Sequence, residues 1–173
     1  MQRLLTLAAL GALAATAITI KTTTVRAASA AQPEYTTIKM EIDVAKPAKE
    51  VWAKVGGYCD ISKWFNGVDC KITSGNGDMG TVRVLAGGRV TEILVAKTDL
   101  SYGYTQPAPE GFYNLYHGFL EVKPLTDKTS RILYTLMYDI SDKADKAAKD
   151  ADIAGRKTRF EGGLKAMKDL AEK

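Results

Sequence analysis

Glu92 stands between Val90 and Leu94 in RVTEILVA, where the alternation of a strand aims a carboxylate in the direction its aliphatic neighbours point. A carboxylate so placed needs a partner or a raised pKa. Arg83, between Val82 and Val84 in TVRVL, is the first partner to consider, although strict hairpin phase would put it on the opposite face. The plainer readings are a surface ion pair for Arg83 and a solvent-facing charge on an amphipathic strand for Glu92. Tyrosines follow on the neighbouring runs. Tyr102 and Tyr104 share one face of LSYGYTQ, Tyr116 shares a face with Leu120 and Val122, and Tyr134, Leu136 and Tyr138 form a further stripe. Facing inward they would line a cavity; as cross-strand packing they would carry their hydroxyls to a rim. One or two positioned acid/base groups in a dry pocket suffice for proton-transfer chemistry, so Glu92, Arg83 and a tyrosine hydroxyl define a catalytic alternative.

The sulfur and imidazole content excludes more than it supports. Both cysteines lie in CDISKWFNGVDC, with ten residues between them, and His117 is the one histidine, on a strand face with Tyr113, Leu115 and Phe119. A site with several imidazoles is impossible, and the Cys59/Cys70 spacing is not that of a zinc site. There is no CxxC, no GxSxG elbow and no Walker motif, and SGNGDMG lacks the helix that should follow a phosphate loop. No catalytic residue, metal site or cofactor is assigned. Trp64 and Phe65, between the cysteines, are either the lip of a cavity or a plug in the core.

The chain opens with MQR, runs without charge from Leu4 to Ile20, and reaches Ala28 and Ala30 before AQPEY. This is the order of a secretory signal cleaved ahead of Ala31, leaving residues 31–173 as one domain. An uncleaved anchor is the rival, but the 17-residue run is short for a bilayer. Arg3, Lys21 and Arg26 would leave with the signal and none of the 20 acids would, so the formal charge falls from +4 to +1. That balance offers nucleic acid no electrostatic footprint. Export also favours a Cys59–Cys70 disulfide over a thiol site.

These groups must be held by elements legible in the patterning. YTTIKMEIDV alternates with Ile38, Met40, Ile42 and Val44 on one face, a half-buried strand over Tyr35–Val44. PAKEVWAKVGG has Pro at a helix start and Val51, Trp52 and Val55 on one side, and CDISKWF reads as a second short helix capped by Asp60 or Ser62. DCKIT, TVRVL, RVTEILVA and LSYGYTQ form a meander of hairpins, and FYNLYHGFLEVKPL and SRILYTLMYDI are two longer strands at the centre of the sheet. From Ser141 or Asp142 as N-cap, about thirty residues are helical, with Phe160, Leu164, Met167 and Leu170 or Ala171 on one face. Ala144, Ala147, Ala148, Ala151 and Ala154 continue at similar spacing and would let the first half of the helix approach the sheet or leave room beneath it.

The segments VAKPAKEVWAKVGGYCDISKWFNGV, GTVRVL, GGRVTEIL, YHGFLEVKPL and RFEGGLKAMKDLAEK resemble the START and birch-pollen-allergen superfamily (SRPBCC), and within it the polyketide cyclase/dehydrase group. The resemblance implies an α+β helix-grip fold: a curved antiparallel sheet wrapped around a long C-terminal helix, with two short helices after the first strand. It also implies a cavity between sheet and helix, with Trp64, Phe65, Arg83, Glu92, Tyr102, Tyr104, Tyr116 and Tyr134 as candidate ligand-binding residues. An exported chain of this length is further similar to the MxaD-type periplasmic accessory proteins of methanol oxidation. The function expected on these grounds is a periplasmic or secreted, non-catalytic binding or accessory protein for a small apolar or amphipathic molecule. A periplasmic protein partner is the other expected occupant.

Overall fold

The computed structural model describes residues 32–107 and 115–173. Among these residues seven strands form one antiparallel sheet: β1 (Tyr35–Val44), β2 (Cys70–Ser74), β3 (Val82–Leu85), β4 (Val90–Thr98), β5 (Ser101–Gln106), β6 (Tyr116–Pro124) and β7 (Ser130–Asp139). Their order in space is β1-β7-β6-β5-β4-β3-β2, so each of β2 to β7 pairs with its sequence neighbour and β1 closes on β7. Helices α1 (Ala48–Val55) and α2 (Ile61–Trp64) connect β1 to β2, and α3 (Lys146–Glu172) ends the chain. A curved sheet holding a long helix against its inner face is the helix-grip fold expected from the sequence.

The inner face follows from strand alternation read through the register. Ile38, Met40 and Ile42 of β1 lie opposite Leu136, Tyr134 and Ile132 of β7, and these in turn lie opposite Gly118, Leu120 and Val122 of β6. Ile132, Tyr134 and Leu136 have no exposed surface, which makes β7 the centre of the core. Tyr104 faces Gly118 across β5 and β6, and its ring occupies the space a side chain would need: a Cβ at Gly118 would meet the ring at 2.2 Å. Burying a large aromatic there therefore depends on glycine in the next strand.

α1 begins after Pro47, which needs no N–H at that position, and buries Ala48, Val51 and Val55. α2 buries Ile61 and Trp64. Asp60 stands at its N-cap but makes no capping bond, because its carboxylate accepts from the Gly57 N–H at 2.8 Å; the Ser62 hydroxyl donates to the Cys59 carbonyl. Cys59 and Cys70 form a disulfide with 5.4 Å between their Cα atoms, joining the start of the α2 turn to the start of β2.

Two expectations for α3 are corrected. Its N-cap is Asp145, whose carboxylate accepts from the Ala148 N–H at 2.8 Å, rather than Ser141 or Asp142. The Ser141 N–H is instead taken by the buried Asp139 side chain, which makes a turn before the helix. Phe160, Leu164, Met167 and Ala171 are buried as expected, but Ala144, Ala147, Ala151 and Ala154 are exposed. Stepping back from Phe160 by three or four residues reaches Arg156, Ile153 and Asp152, and these half-buried side chains form the inward face of the first half. The alanine stripe runs in a different phase and faces solvent. Among the described residues, no helix is long and apolar enough to cross a membrane.

Candidate functional site

A cleft of about 200 Å³ opens between α2, the β3–β6 part of the sheet and α3. Its apolar wall is Ile61, Phe65, Val68, Leu85, Val90 and Phe160; its polar wall is Glu92, Tyr104, Gln106, Tyr116, Arg156 and Arg159. Phe65 owes its place to the disulfide corner, since α2 is suspended between Cys59 and the strand that begins at Cys70.

Arg83 and Glu92 are directly opposed in the β3–β4 register, so both point to the inner face, and both are buried. The surface-pair reading of Arg83 is therefore wrong, as is its placement on the opposite face: residues paired across antiparallel strands share a face. Arg83 Nε donates to Glu92 Oε2 at 2.7 Å, and Nη2 lies 2.5 Å from the same oxygen without the alignment of a hydrogen bond. Nη1 donates to the Tyr58 carbonyl, which ties the ion pair to the residue preceding Cys59. The other carboxylate oxygen, Glu92 Oε1, accepts from Gln106 Nε2 at 3.0 Å. The guanidinium also stacks on aromatic faces, with Cζ 4.1 Å from the Tyr58 ring centroid and 5.1 Å from that of Tyr104.

The tyrosines above this pair are neutral hydroxyls. Tyr104 and Tyr134 share a hydrogen bond of 2.9 Å, and burial raises both pKa values well above the ordinary phenol value. Burial likewise pushes Tyr116 up to about 12. On the helix side, Asp152 accepts from Arg156 Nε at 2.8 Å and from the Tyr138 hydroxyl at 2.9 Å. Burial favours the neutral acid, but these two hydrogen bonds outweigh it and hold the Asp152 carboxyl below its usual value. The Arg156 guanidinium stacks on Tyr138, 4.5 Å from the ring centroid, and Arg159 lies 4.9 Å over Phe65.

Of the residues singled out from sequence, Phe65, Glu92, Tyr104 and Tyr116 lie on the cleft wall. Trp64, Arg83, Tyr102 and Tyr134 stand behind it: Trp64 packs edge-on against Phe65 and Tyr134, and Tyr102 is held between Trp52 and Tyr58. Gln106, Arg156 and Arg159 were not anticipated, and Phe160 was read only as core. For Arg156 the signal is present in the phase of α3, since it lies one turn before Phe160. His117 is on the outer face beside Phe119, and Tyr113 lies outside the described residues. Among the described residues, no group of three or more His, Cys, Asp or Glu side chains is placed to hold a metal ion.

A helix-grip domain with an aromatic-lined cleft defines a class of small-molecule scaffolds. The chain belongs to the family described as polyketide cyclase / dehydrase and lipid transport, whose model matches residues 35–172. Among solved structures it is similar to a protein of Thermobifida fusca, with 25% identity over 78% of this chain and 92% of that one and a TM-score of 0.64. It is similar to the protein XoxI of Bacillus cereus, with 25% identity over 78% and 93% and a TM-score of 0.60. It shares its fold with the ZhuI aromatase/cyclase of Streptomyces sp. R1128, at 16% identity over 80% and 94% and a TM-score of 0.64. No curated protein matches it.

Proposed function

We propose that this chain is an exported, non-catalytic binding protein whose cleft takes a small amphipathic molecule. One observation carries the non-catalytic part: both oxygens of Glu92 are already engaged, one by Arg83 and one by Gln106. A carboxylate neutralised by a buried guanidinium is a poor general base. The acid/base alternative, of the cyclase/dehydratase kind that the family resemblance implies, is the less favoured reading for that reason. Binding is supported by the cleft itself, apolar on one side and lined by neutral hydroxyls, an amide and arginines on the other. Export is supported by the MQR start, the uncharged run, the small residues before Ala31, and the disulfide. Residues 1–30 are then a cleaved signal and 31–173 the mature domain. A role beside a periplasmic redox system such as methanol oxidation, with a protein partner there, rests on the resemblance to the MxaD-type accessory proteins.

Native mass spectrometry of the protein purified from the periplasm of its own cells tests this reading. The expected result is a chain beginning at Ala31 that carries a small-molecule adduct, released on denaturation. An intact N-terminus with no adduct under any growth condition would overturn it.

A further inference from the structure

The charges around the cleft can be paired off, and one is left over. Arg83 is neutralised by Glu92, and Arg156 by Asp152. Arg159 has no carboxylate within ion-pair distance among the described residues and donates no hydrogen bond to them. It is nevertheless fixed in direction, because its guanidinium lies over the ring of Phe65, a cleft residue. Arg156 points to the same place from three residues earlier, on the same helix face. Asp152 takes its Nε and Nη2, which leaves Nη1 without a protein acceptor among the described residues. Two guanidinium edges therefore meet an aromatic cleft that carries a single unbalanced positive charge.

We propose that the ligand is a small aromatic monoanion, an aryl carboxylate being the simplest member, with its anionic group on Arg159 and Arg156 and its ring among Phe65, Phe160, Tyr104 and Tyr116. This rests on the ligand-binding reading above and names the chemical class it takes. A neutral ligand would leave Arg159 partly desolvated with nothing gained, and a dianion would exceed the one unpaired charge. Volume sets the scale of the body: a cavity of about 150 Å³ holds a benzene ring, so about 200 Å³ holds one ring with its substituent. Arginine is the residue suited to a planar carboxylate, which it grips through two parallel N–H bonds.

The test is isothermal titration of the purified mature domain with matched pairs, benzoate against benzyl alcohol and naphthoate against naphthalenemethanol, repeated with Arg159→Gln and Arg159→Lys. Arg159 is exposed on a helix, so neither change threatens the fold. At least one carboxylate is expected to bind about tenfold or more tightly than its alcohol. Arg159→Gln is expected to bring the acid-over-alcohol ratio down to about one, whatever it does to alcohol binding itself, and Arg159→Lys to restore part of the preference. Equal binding of acid and alcohol, or a preference that survives in Arg159→Gln, would overturn the anion assignment and leave the binding reading intact. No binding of any probe by the wild-type domain would overturn both.

Discussion

The most consequential residue pair is Arg83–Glu92, because both side chains are buried on a face that is otherwise aromatic and aliphatic. Such a pair adds little net stability over a well-packed apolar pair, yet breaking it is costly, since the surviving charge stays buried. Glu92→Gln keeps the shape and removes the countercharge from Arg83, and should cost about 3–5 kcal/mol. The double change Arg83→Met with Glu92→Leu removes both charges and should recover most of that loss. Urea unfolding of Arg83→Met, Glu92→Leu and the double variant gives the coupling directly; strict additivity would sink the account. At this scale the sequence was partly legible. Alternation placed Glu92 inward, but the opposing position of Arg83 depends on the pairing of TVRVL with RVTEILVA, which only the hairpin register supplies. Arg156 and Arg159 were missed for a different reason. A helical charge pattern reads as a solvated face until the neighbouring sheet shows which side is covered.

At the scale of elements, the strands and their succession of hairpins are readable because period two is strict over β1, β6 and β7 and turn residues separate the runs between them, but the centre of the sheet is not: β5 stands in the middle, and β7, expected there with β6, lies next to the edge strand β1. α3 was readable in its second half, where Phe160, Leu164 and Met167 mark the buried face, and misread in its first. There the alanine spacing suggests either close approach to the sheet or room beneath the helix, whereas the half-covered positions are Asp152, Ile153 and Arg156. Alanine carries no directional information of its own; it is equally suited to solvent and to close packing. The α2 corner was legible in its covalent chemistry. Its disulfide closes a short loop, and constraint of the unfolded chain by such a loop is worth about 3 kcal/mol. Replacing Cys59 and Cys70 together by serine should lower stability by roughly that amount, seen as a drop in Tm on thermal unfolding. The same variant should weaken aryl carboxylate binding, because Phe65 is held by this corner. A loss of stability with unchanged affinity would show that Phe65 is positioned by its stacking on Phe160 alone, where the ring centroids are 5.1 Å apart.

At the scale of the whole molecule, the fold concentrates hydroxyls where water is absent. Tyr102, Tyr104 and Tyr134 are buried between sheet and helix, and Tyr58 and Tyr116 are partly so. In each, burial holds the phenol above its ordinary value. The sign of the linkage follows. In the unfolded chain these phenols ionise near pH 10, while in the folded chain they keep their protons to higher pH. Below about pH 10 both states hold the same protons and the contribution is fully present. Above it the unfolded state releases protons that the native state retains, so stability falls as pH rises through the folded pKa values. Because several such groups share one core, the loss is cooperative. Alkaline titration should show the tyrosinate absorbance of the buried phenols rising late, coincident with the loss of far-ultraviolet circular dichroism. Ionisation of all eight tyrosines near pH 10 with the circular dichroism unchanged would mean the core admits water freely.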